Sequence, residues 1–440
     1  MNDQTSDLLE KIRQQFETSP YPRVPLDKSP KSDPNLLYIH NLVTPYYLRN
    51  QKVIDTKGKV ILDAGCGSGY KSLILAEANP GAKIVGIDLS EESVKLSRQR
   101  LQHHGFENAE FYTLLIEDLP TLGIEFDYIN NDEVLYLLPD AVLGLQAMKA
   151  VLKPEGIIRT NLHSSLQRSI FFRAQEVFKM MGFMDENPQE MEIGFVRETM
   201  GAMKDQVLLK LQTWNPNSEI EDERILANHL LLGDKGSTIP QMFSALRAAD
   251  LEFISMVQWR RWDLMDLFNN PDDLPAFLAL ALPETSVEEQ LHLFELLHPV
   301  HRLIDLWCGH INQAKPFVSI SEWTTCHWQE AQVSLHPQLR TPKLREDLVA
   351  CISELRMFEI SQHLPIHEGF VNIDSSSAVC LLPLLDESQS MMSLVKRWKQ
   401  VRPVHPVTLE PTDEGEAFEI VKQLLTRLES LGYVLLECCA

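Results

Sequence analysis

The stretch Val60-Ile61-Leu62-Asp63-Ala64-Gly65-Cys66-Gly67-Ser68-Gly69 constrains this chain more than any other. A short apolar run leads into glycines at three alternate positions, and helix-forming residues follow at once from Tyr70. Glycine tolerates positive φ and carries no Cβ, so the backbone here can turn sharply and approach a ligand closely. Strand, glycine turn and helix in that order predict the opening of an α/β domain whose ligand lies over the bend.

The residues that follow repeat this alternation. Strands are predicted at Lys59–Asp63, Lys83–Asp88, Ala109–Leu114, Asp127–Asn131 and Gly156–Asn161, with helices at Tyr70–Ala78, Glu91–His103 and Asp140–Leu152. VILDA and IVGID are apolar on both faces, as in a parallel sheet covered by helices on both sides. Residues 58–162 therefore read as a doubly wound α/β core. Residues 1–57 read as an N-terminal helical cap: helical spacing over 3–17 (Leu8, Leu9, Ile12, Phe16), a proline-rich loop from Ser19 to Pro34, and a second helix from Asn35 to Asn50. Residues 163–330 read as a helical insertion with return strands at Leu251–Val257 and Val300–Cys308, the first fed by a capped helix from Ile239 to Ala249. The helix-spaced methionines 180, 181, 184, 191, 200 and 203 read as core packing. Residues 344–440, with helices before a small β-element at Tyr433–Leu436, read as a winged-helix-like domain.

Composition narrows the function. At ~150 residues per domain, 440 residues predict about three domains. Lys plus Arg is 40 against 62 Asp plus Glu, a net charge of −22, which disfavours a nucleic-acid or anionic-membrane partner. Seven cysteines, an odd number without framework spacing, point to reduced thiols in a cytoplasmic protein. The charged start, Met1 to Phe16, reads as an amphipathic helix rather than a signal peptide, and no apolar run reaches the ~18 residues that span a bilayer.

Two ligands suit a glycine turn of this kind, a dinucleotide and S-adenosylmethionine (SAM). The spacing is Gly-x-Gly-x-Gly rather than the Gly-x-Gly-x-x-Gly dinucleotide fingerprint. Asp63 beside the bend would oppose a pyrophosphate, whereas SAM presents an ammonium and a sulfonium. Asp88 ends the next predicted strand, where an acid accepts hydrogen bonds from both ribose hydroxyls. On these residues the chain resembles the class I SAM-dependent methyltransferases over roughly residues 58–162, which implies a Rossmann-like sheet and SAM as cofactor.

The resemblance implies further positions. Leu115-Ile116-Glu117-Asp118-Leu119-Pro120 matches the adenine-contacting segment, with apolar Leu115 where an acid is usual, so Ile116 or Glu117 takes that role. Phe126 to Asn131 matches the fourth strand, whose end, with Asn130, flanks the methionine part. The expected cofactor-binding set is Asp63, Gly65, Cys66, Gly67, Gly69, Asp88, Leu89, Ile116, Glu117 and Asn130. Candidate bases lie just past the ends of strands four and five: Asp132, Glu133, Tyr136 and His163. Against these stands the plainer reading that the acids cap a helix and His163 is a bonded loop residue, since methyl transfer from a sulfonium needs mainly alignment. His298, His301, Cys308 and His310 match no common zinc spacing, so no metal is expected. Trp259 and Trp262 read as buried rings more than as a cation-binding wall.

The order of core, helical insertion, return strand and small terminal domain is also distantly similar to bacterial methyltransferases with a methyltransferase regulatory domain. Asn131 to Tyr136 and Asn161 to Ser164 depart from the acceptor signature of those proteins. The expected activity is therefore methyl transfer from SAM to a small metabolite, with a protein lysine as the alternative acceptor and a non-catalytic SAM-responsive protein as the alternative class.

Overall fold

The computed structural model describes residues 3–18, 20–214, 221–367 and 369–438. Ser19, Cys439 and the side chains of Leu8 and Leu9 lie outside the described residues. The chain forms two compact units. The first gathers residues 1–28, 58–76 and 82–313, and the second gathers 29–57, 77–81 and 314–440. Segment 1–57 is thus shared between them.

The first unit is built on one sheet. Its strands are β1 (Val60–Ala64), β2 (Lys83–Asp88), β3 (Glu110–Thr113), β4 (Phe126–Asn131), β5 (Leu152–Ser164), β6 (Gly236–Ser237), β7 (Leu251–Met256) and β8 (Leu303–His310). They lie in the order β3-β2-β1-β4-β5-β8-β7, with β6 beside the end of β5. β1 to β5 pair in parallel, and β8 returns antiparallel between β5 and β7. The predicted Rossmann-like sheet and both return strands are present. Ile61, Leu62, Val85, Ile87, Ile129, Ile157 and Ile158 are all buried, as expected of strands covered on both faces. Helix ends obey local chemistry: the Ser90 hydroxyl accepts from Ser93 N–H before Glu91–His103, and Asp140 caps Ala141–Ala150.

Several boundaries differ from the sequence reading, each for a local reason. β5 begins at Leu152 rather than Gly156, because Leu152 pairs with Phe126 and the register shifts once before Tyr128 pairs with Ile157. The Lys153-Pro154 pair is a bulge inside the strand instead of a break before it. The helix predicted over Asn35–Asn50 is two helices, Pro34–Ile39 and Val43–Asn50. Asn41 divides them: its amide donates to Ala78 C=O at 2.6 Å and its oxygen accepts from Val43 N–H at 2.9 Å.

The insertion folds as helices Ser169–Met180, Glu190–Ala202, Leu208–Thr213 and Asp222–His229 around Ala174, Phe178, Ile193, Val196, Met200 and Ile225. The reading of all six methionines as core is corrected here. Met200 is buried in this core and Met184 and Met203 pack against the core, while Met180, Met181 and Met191 are exposed. Helical spacing places a residue on a face, and only the neighbouring helix decides whether that face is covered.

The second unit carries β9 (Gln332–Leu335), β10 (Phe358–Glu359), β11 (Asn372–Ile373), β12 (Gln389–Ser390) and β13 (Val434–Glu437). β12 and β13 flank β9 in an antiparallel sheet with helices Pro342–Ser353, Met391–Val401 and Glu414–Ser430. Among the described residues no helix is long and apolar enough to cross a membrane, and the cysteines form no disulfide.

Candidate functional site

The glycine turn sits where β1 and β2 end side by side. Gly65 and Cys66 donate their N–H groups to Ile87 C=O at 2.9 and 2.8 Å. Asp88 closes the turn from behind: Oδ2 accepts from Gly67 N–H at 2.8 Å and Oδ1 from Ser90 N–H at 3.0 Å. Burial raises the pKa of Asp88 despite these bonds. Gly67 has φ +52, and a Cβ there would lie 2.1 Å from Tyr21 C=O. Only glycine lets the proline-rich segment approach this closely.

That segment is tied down from two sides. Ser68 N–H donates to Tyr21 C=O at 2.8 Å. The buried Arg100 guanidinium donates to Ser68, Val24 and Pro25 carbonyls at 2.9, 2.7 and 2.7 Å. Cap and glycine turn thus share one hydrogen-bonded frame over the carboxyl ends of the strands, where open α/β sheets bind ligands.

A cavity of about 110 Å³ lies under it. Of the residues proposed for the cofactor, Gly65, Cys66, Gly67, Asp88, Leu89, Ile116 and Glu117 line this cavity, and so does Leu115. Asp63, Gly69 and Asn130 do not. Asp63 is buried beneath the turn, taking Ser72 Oγ–H at 2.6 Å and Asn130 Nδ2–H at 3.0 Å. Burial pushes its pKa up to about 6, against those two hydrogen bonds. Gly69 packs against helix Glu91–His103, where a Cβ would be 2.5 Å from Ser97 Cα. Tyr21 and Pro22 of the proline-rich segment line it too, and the sequence reading missed Lys71 and Val134 beside them.

Asp132, proposed as a base, also lines this cavity and is already engaged. Its Oδ2 is 2.5 Å from Lys71 Nζ and 3.6 Å from Arg159 Nη1, and its Oδ1 accepts from Asn161 Nδ2 at 2.6 Å. Arg159 is buried and donates also to Asp305 at 2.7 Å and to Asn130 at 3.3 Å. The acids at the ends of β4 and β8 are therefore held by fixed charges, as buried carboxylates must be.

A second cavity of about 330 Å³ adjoins the first and shares Phe16, Tyr21, Glu133 and Leu137 with it. The other three base candidates, Glu133, Tyr136 and His163, converge here from the ends of β4 and β5. Glu133 has φ +63, and its N–H donates to Asn161 Oδ1 at 2.8 Å. Its carboxylate pairs with Arg302. His163 is buried, stacked on Tyr136 with ring centroids 3.7 Å apart. Its Nδ1 lies 2.6 Å from Asp234 Oδ1 and its Nε2 3.1 Å from Arg302 Nη1. Burial pulls the His163 pKa down more than Asp234 lifts it. Burial also drives the Tyr136 hydroxyl well above its usual range. Asp234 and Arg302 carried no motif and were missed by sequence; they are far along the chain and meet His163 only through the insertion and the β8 return.

The His/Cys residues near 300 are dispersed. His301 stacks on Trp262 at 4.3 Å and meets Arg261 C=O at 2.9 Å; His310 meets Leu152 C=O at 3.0 Å; Cys308 is buried in the core. Trp262 is buried and Trp259 half-buried in the same core, with Arg260 over the Trp259 ring at 3.9 Å.

Known proteins resemble the chain over the sheet that carries this site. A methyltransferase domain family model matches residues 55–215. A ubiquinone biosynthesis O-methyltransferase of Actinobacillus pleuropneumoniae is 32% identical over 142 residues, covering 30% of this chain and 58% of that protein. A demethylmenaquinone methyltransferase of Geobacillus stearothermophilus is 35% identical over 102 residues, covering 23% of this chain and 44% of that one. The chain thus spans about half the length of these curated relatives. The solved structure of PKMT2 from Rickettsia typhi superposes with a TM-score of 0.58 at 16% identity, covering 93% of this chain and 76% of that one, which is likeness of fold. The same protein in complex with AdoHcy gives 0.58 at 15% identity. Residues 55–215 are thus similar to a methyltransferase domain, and the Rossmann-like sheet that carries them is a fold the chain shares with PKMT2.

Proposed function

We propose that the chain transfers a methyl group from SAM to a small-molecule acceptor. One observation carries this reading: a cavity over the glycine turn, backed by Asp88, shares a wall with a second, larger cavity ringed by titratable side chains.

The first cavity fits the cofactor's chemistry. Its walls combine Leu89, Leu114 and Ile116 with the carboxylates of Asp88, Glu117, Asp132 and Glu133. Asp132 and Glu133 are paired with Lys71 and Arg302, and the other two acids, Asp88 and Glu117, oppose a pyrophosphate and suit a cationic nucleoside. Asp88 would hold the ribose hydroxyls, Lys71 the carboxylate and Asp132 the ammonium, with the apolar residues against adenine. When bound, SAM supplies a methyl group already activated on a sulfonium. The chain's own residues then align the acceptor and exclude water, and the cap segment at Tyr21 and Pro22 covers both cavities.

The volume of the second cavity matches a small ligand. The curated relatives named above are quinone-biosynthesis methyltransferases, which supports the same acceptor class. Incubation with methyl-labelled SAM and a bacterial cell extract, followed by separation by size, tests it. Label in the low-molecular-weight fraction is expected. Label confined to protein would establish the polypeptide alternative, and binding of SAM without any turnover would establish a regulatory role.

A further inference from the structure

We infer that His163 and Asp234 form a proton-accepting dyad for an acidic hydroxyl, with Arg302 holding the place that the hydroxyl takes. The inference rests on the methyl-transfer reading and adds an acceptor atom and a base to it.

Two independent partners fix the same tautomer of His163. The Asp234 side chain is fully buried; its Oδ1 faces His163 Nδ1, while its Oδ2 accepts from Arg168 Nη2 and Gln175 Nε2, both at 2.9 Å. A carboxylate so surrounded by donors is ionised and only accepts, so Nδ1 carries the hydrogen. On the other side Arg302 Nη1 only donates, so Nε2 presents its lone pair. The ring cannot turn away, because Tyr136 stacks against it. The result is a neutral imidazole on the wall of the second cavity, its Nε2 lone pair held by Arg302, with a buried carboxylate behind it to stabilise positive charge.

The occupant of that lone pair identifies the acceptor. The charged and titratable groups facing His163 are Asp234, Arg168, Arg302 and Glu133, with Tyr136 and Tyr21 completing the wall. Asp234 is matched by Arg168 and Glu133 by Arg302, and the cavity's other acids, Glu221 and Glu223, stand with Arg23 and Arg224. An ammonium entering here meets a guanidinium with its counter-charge already engaged. A phenolic or enolic hydroxyl instead replaces one N–H···N bond with its own O–H···N bond, and the released guanidinium N–H can serve its oxygen as negative charge develops. In the transfer, the oxygen bonds the methyl carbon, its proton passes to His163 Nε2, and the electron pair of the broken carbon–sulfur bond remains on sulfur. The imidazolium returns its proton to solvent. Asp234 touches no substrate and is a positioning residue.

The test uses the full chain labelled with [15N]histidine, with His163 assigned by difference against H163Q. At pH 7.5 the ring should show the Nδ1–H tautomer; in D234N the amide oxygen faces the Arg168 and Gln175 donors and its NH2 faces Nδ1, so the Nδ1–H tautomer should be lost, with Arg302 giving up Nε2. With S-adenosylhomocysteine bound, catechol should shift the His163 Nε2 resonance and a lysine-containing peptide should not. With labelled SAM and catechol, D234N should lower kcat by about 100-fold or more with KM for SAM unchanged. An Nε2–H or doubly protonated ring in the unmodified chain overturns the inference even if D234N does not fold. A shift produced by the peptide and not by catechol overturns it as well. Absence of heat on titrating S-adenosylhomocysteine would instead refute the cofactor reading, and it leaves the tautomer measurement standing.

Discussion

The two cavities are neighbours, yet they are made in different ways. The cofactor-side cavity comes mostly from consecutive strand ends: residues 65–67, 87–89 and 114–117 follow one another along β1, β2 and β3. The acceptor-side cavity draws Tyr21, Glu133, His163, Arg224 and Arg302 from separate elements, and its electrostatics depend on pairs formed at long range. A site of the first kind is written into local sequence. A site of the second kind exists only once the insertion and the return strand are in place, so it can vary while the first is kept.

The sharpest way to break the cofactor side is Gly67→Val. The left-handed φ alone costs about 1–2 kcal/mol, and a Cβ would overlap Tyr21 C=O. We expect affinity for S-adenosylhomocysteine to fall at least ~100-fold by calorimetry. Unchanged affinity would mean that the cap does not close over this turn.

The acceptor side is distinguished by its response to acid. His229 ends the last insertion helix among Phe171, Phe178 and Trp214, with neither ring nitrogen hydrogen-bonded among the described residues. Burial, with the charges of Arg224 and Arg168, pulls its pKa down to about 4 from 6.5. The neutral ring is the form the fold accepts, so this contribution is fully present above pH 6.5 and is lost as pH falls through 4. A shift of this size corresponds to about 3 kcal/mol. His229→Leu should flatten the acid limb of the melting temperature between those pH values; an unaltered limb would remove His229 from the account.

The cofactor side has the opposite sign. Asp63 is pushed up to about 6 from 3.8, so protonation favours the folded state. Its contribution is complete below pH 3.8 and disappears as pH rises through 6. Asp63→Asn can accept from Asn130 through its Oδ1 and offer its NH2 to the Ser72 oxygen, and should raise stability at pH 8 by about 1–2 kcal/mol, by roughly half that at pH 5 and hardly at all below pH 4. Equal effects at both pH values would show that the carboxylate is not desolvated. The smallest effect is expected from Lys71→Met, which leaves Asp132 to Arg159 and Asn161 and should weaken S-adenosylhomocysteine about tenfold.

This contrast also explains what was legible in the sequence. The strand–turn–helix at residues 60–78, Asp88 at the end of β2 and the two return strands follow from local periodicity and glycine spacing. Asp63 was read as facing the ligand, since its place on the strand gives no sign that Ser72 and Asn130 have taken both of its oxygens. Lys71 reads as an ordinary first-turn helix residue until Asp132 is brought beside it. Asp234 and Arg302 look like loop charges because their partner lies 71 and 139 residues away. Met180, Met181 and Met191 misled because periodicity reports a face and not its covering.

The central claim is tested most directly by titrating S-adenosylhomocysteine and, separately, NAD into the intact chain and into Gly67→Val by calorimetry. The account predicts single-site heat for the sulfur nucleoside in the intact chain, its loss in the variant, and none for NAD in either. Heat from NAD without any from the sulfur nucleoside would contradict it.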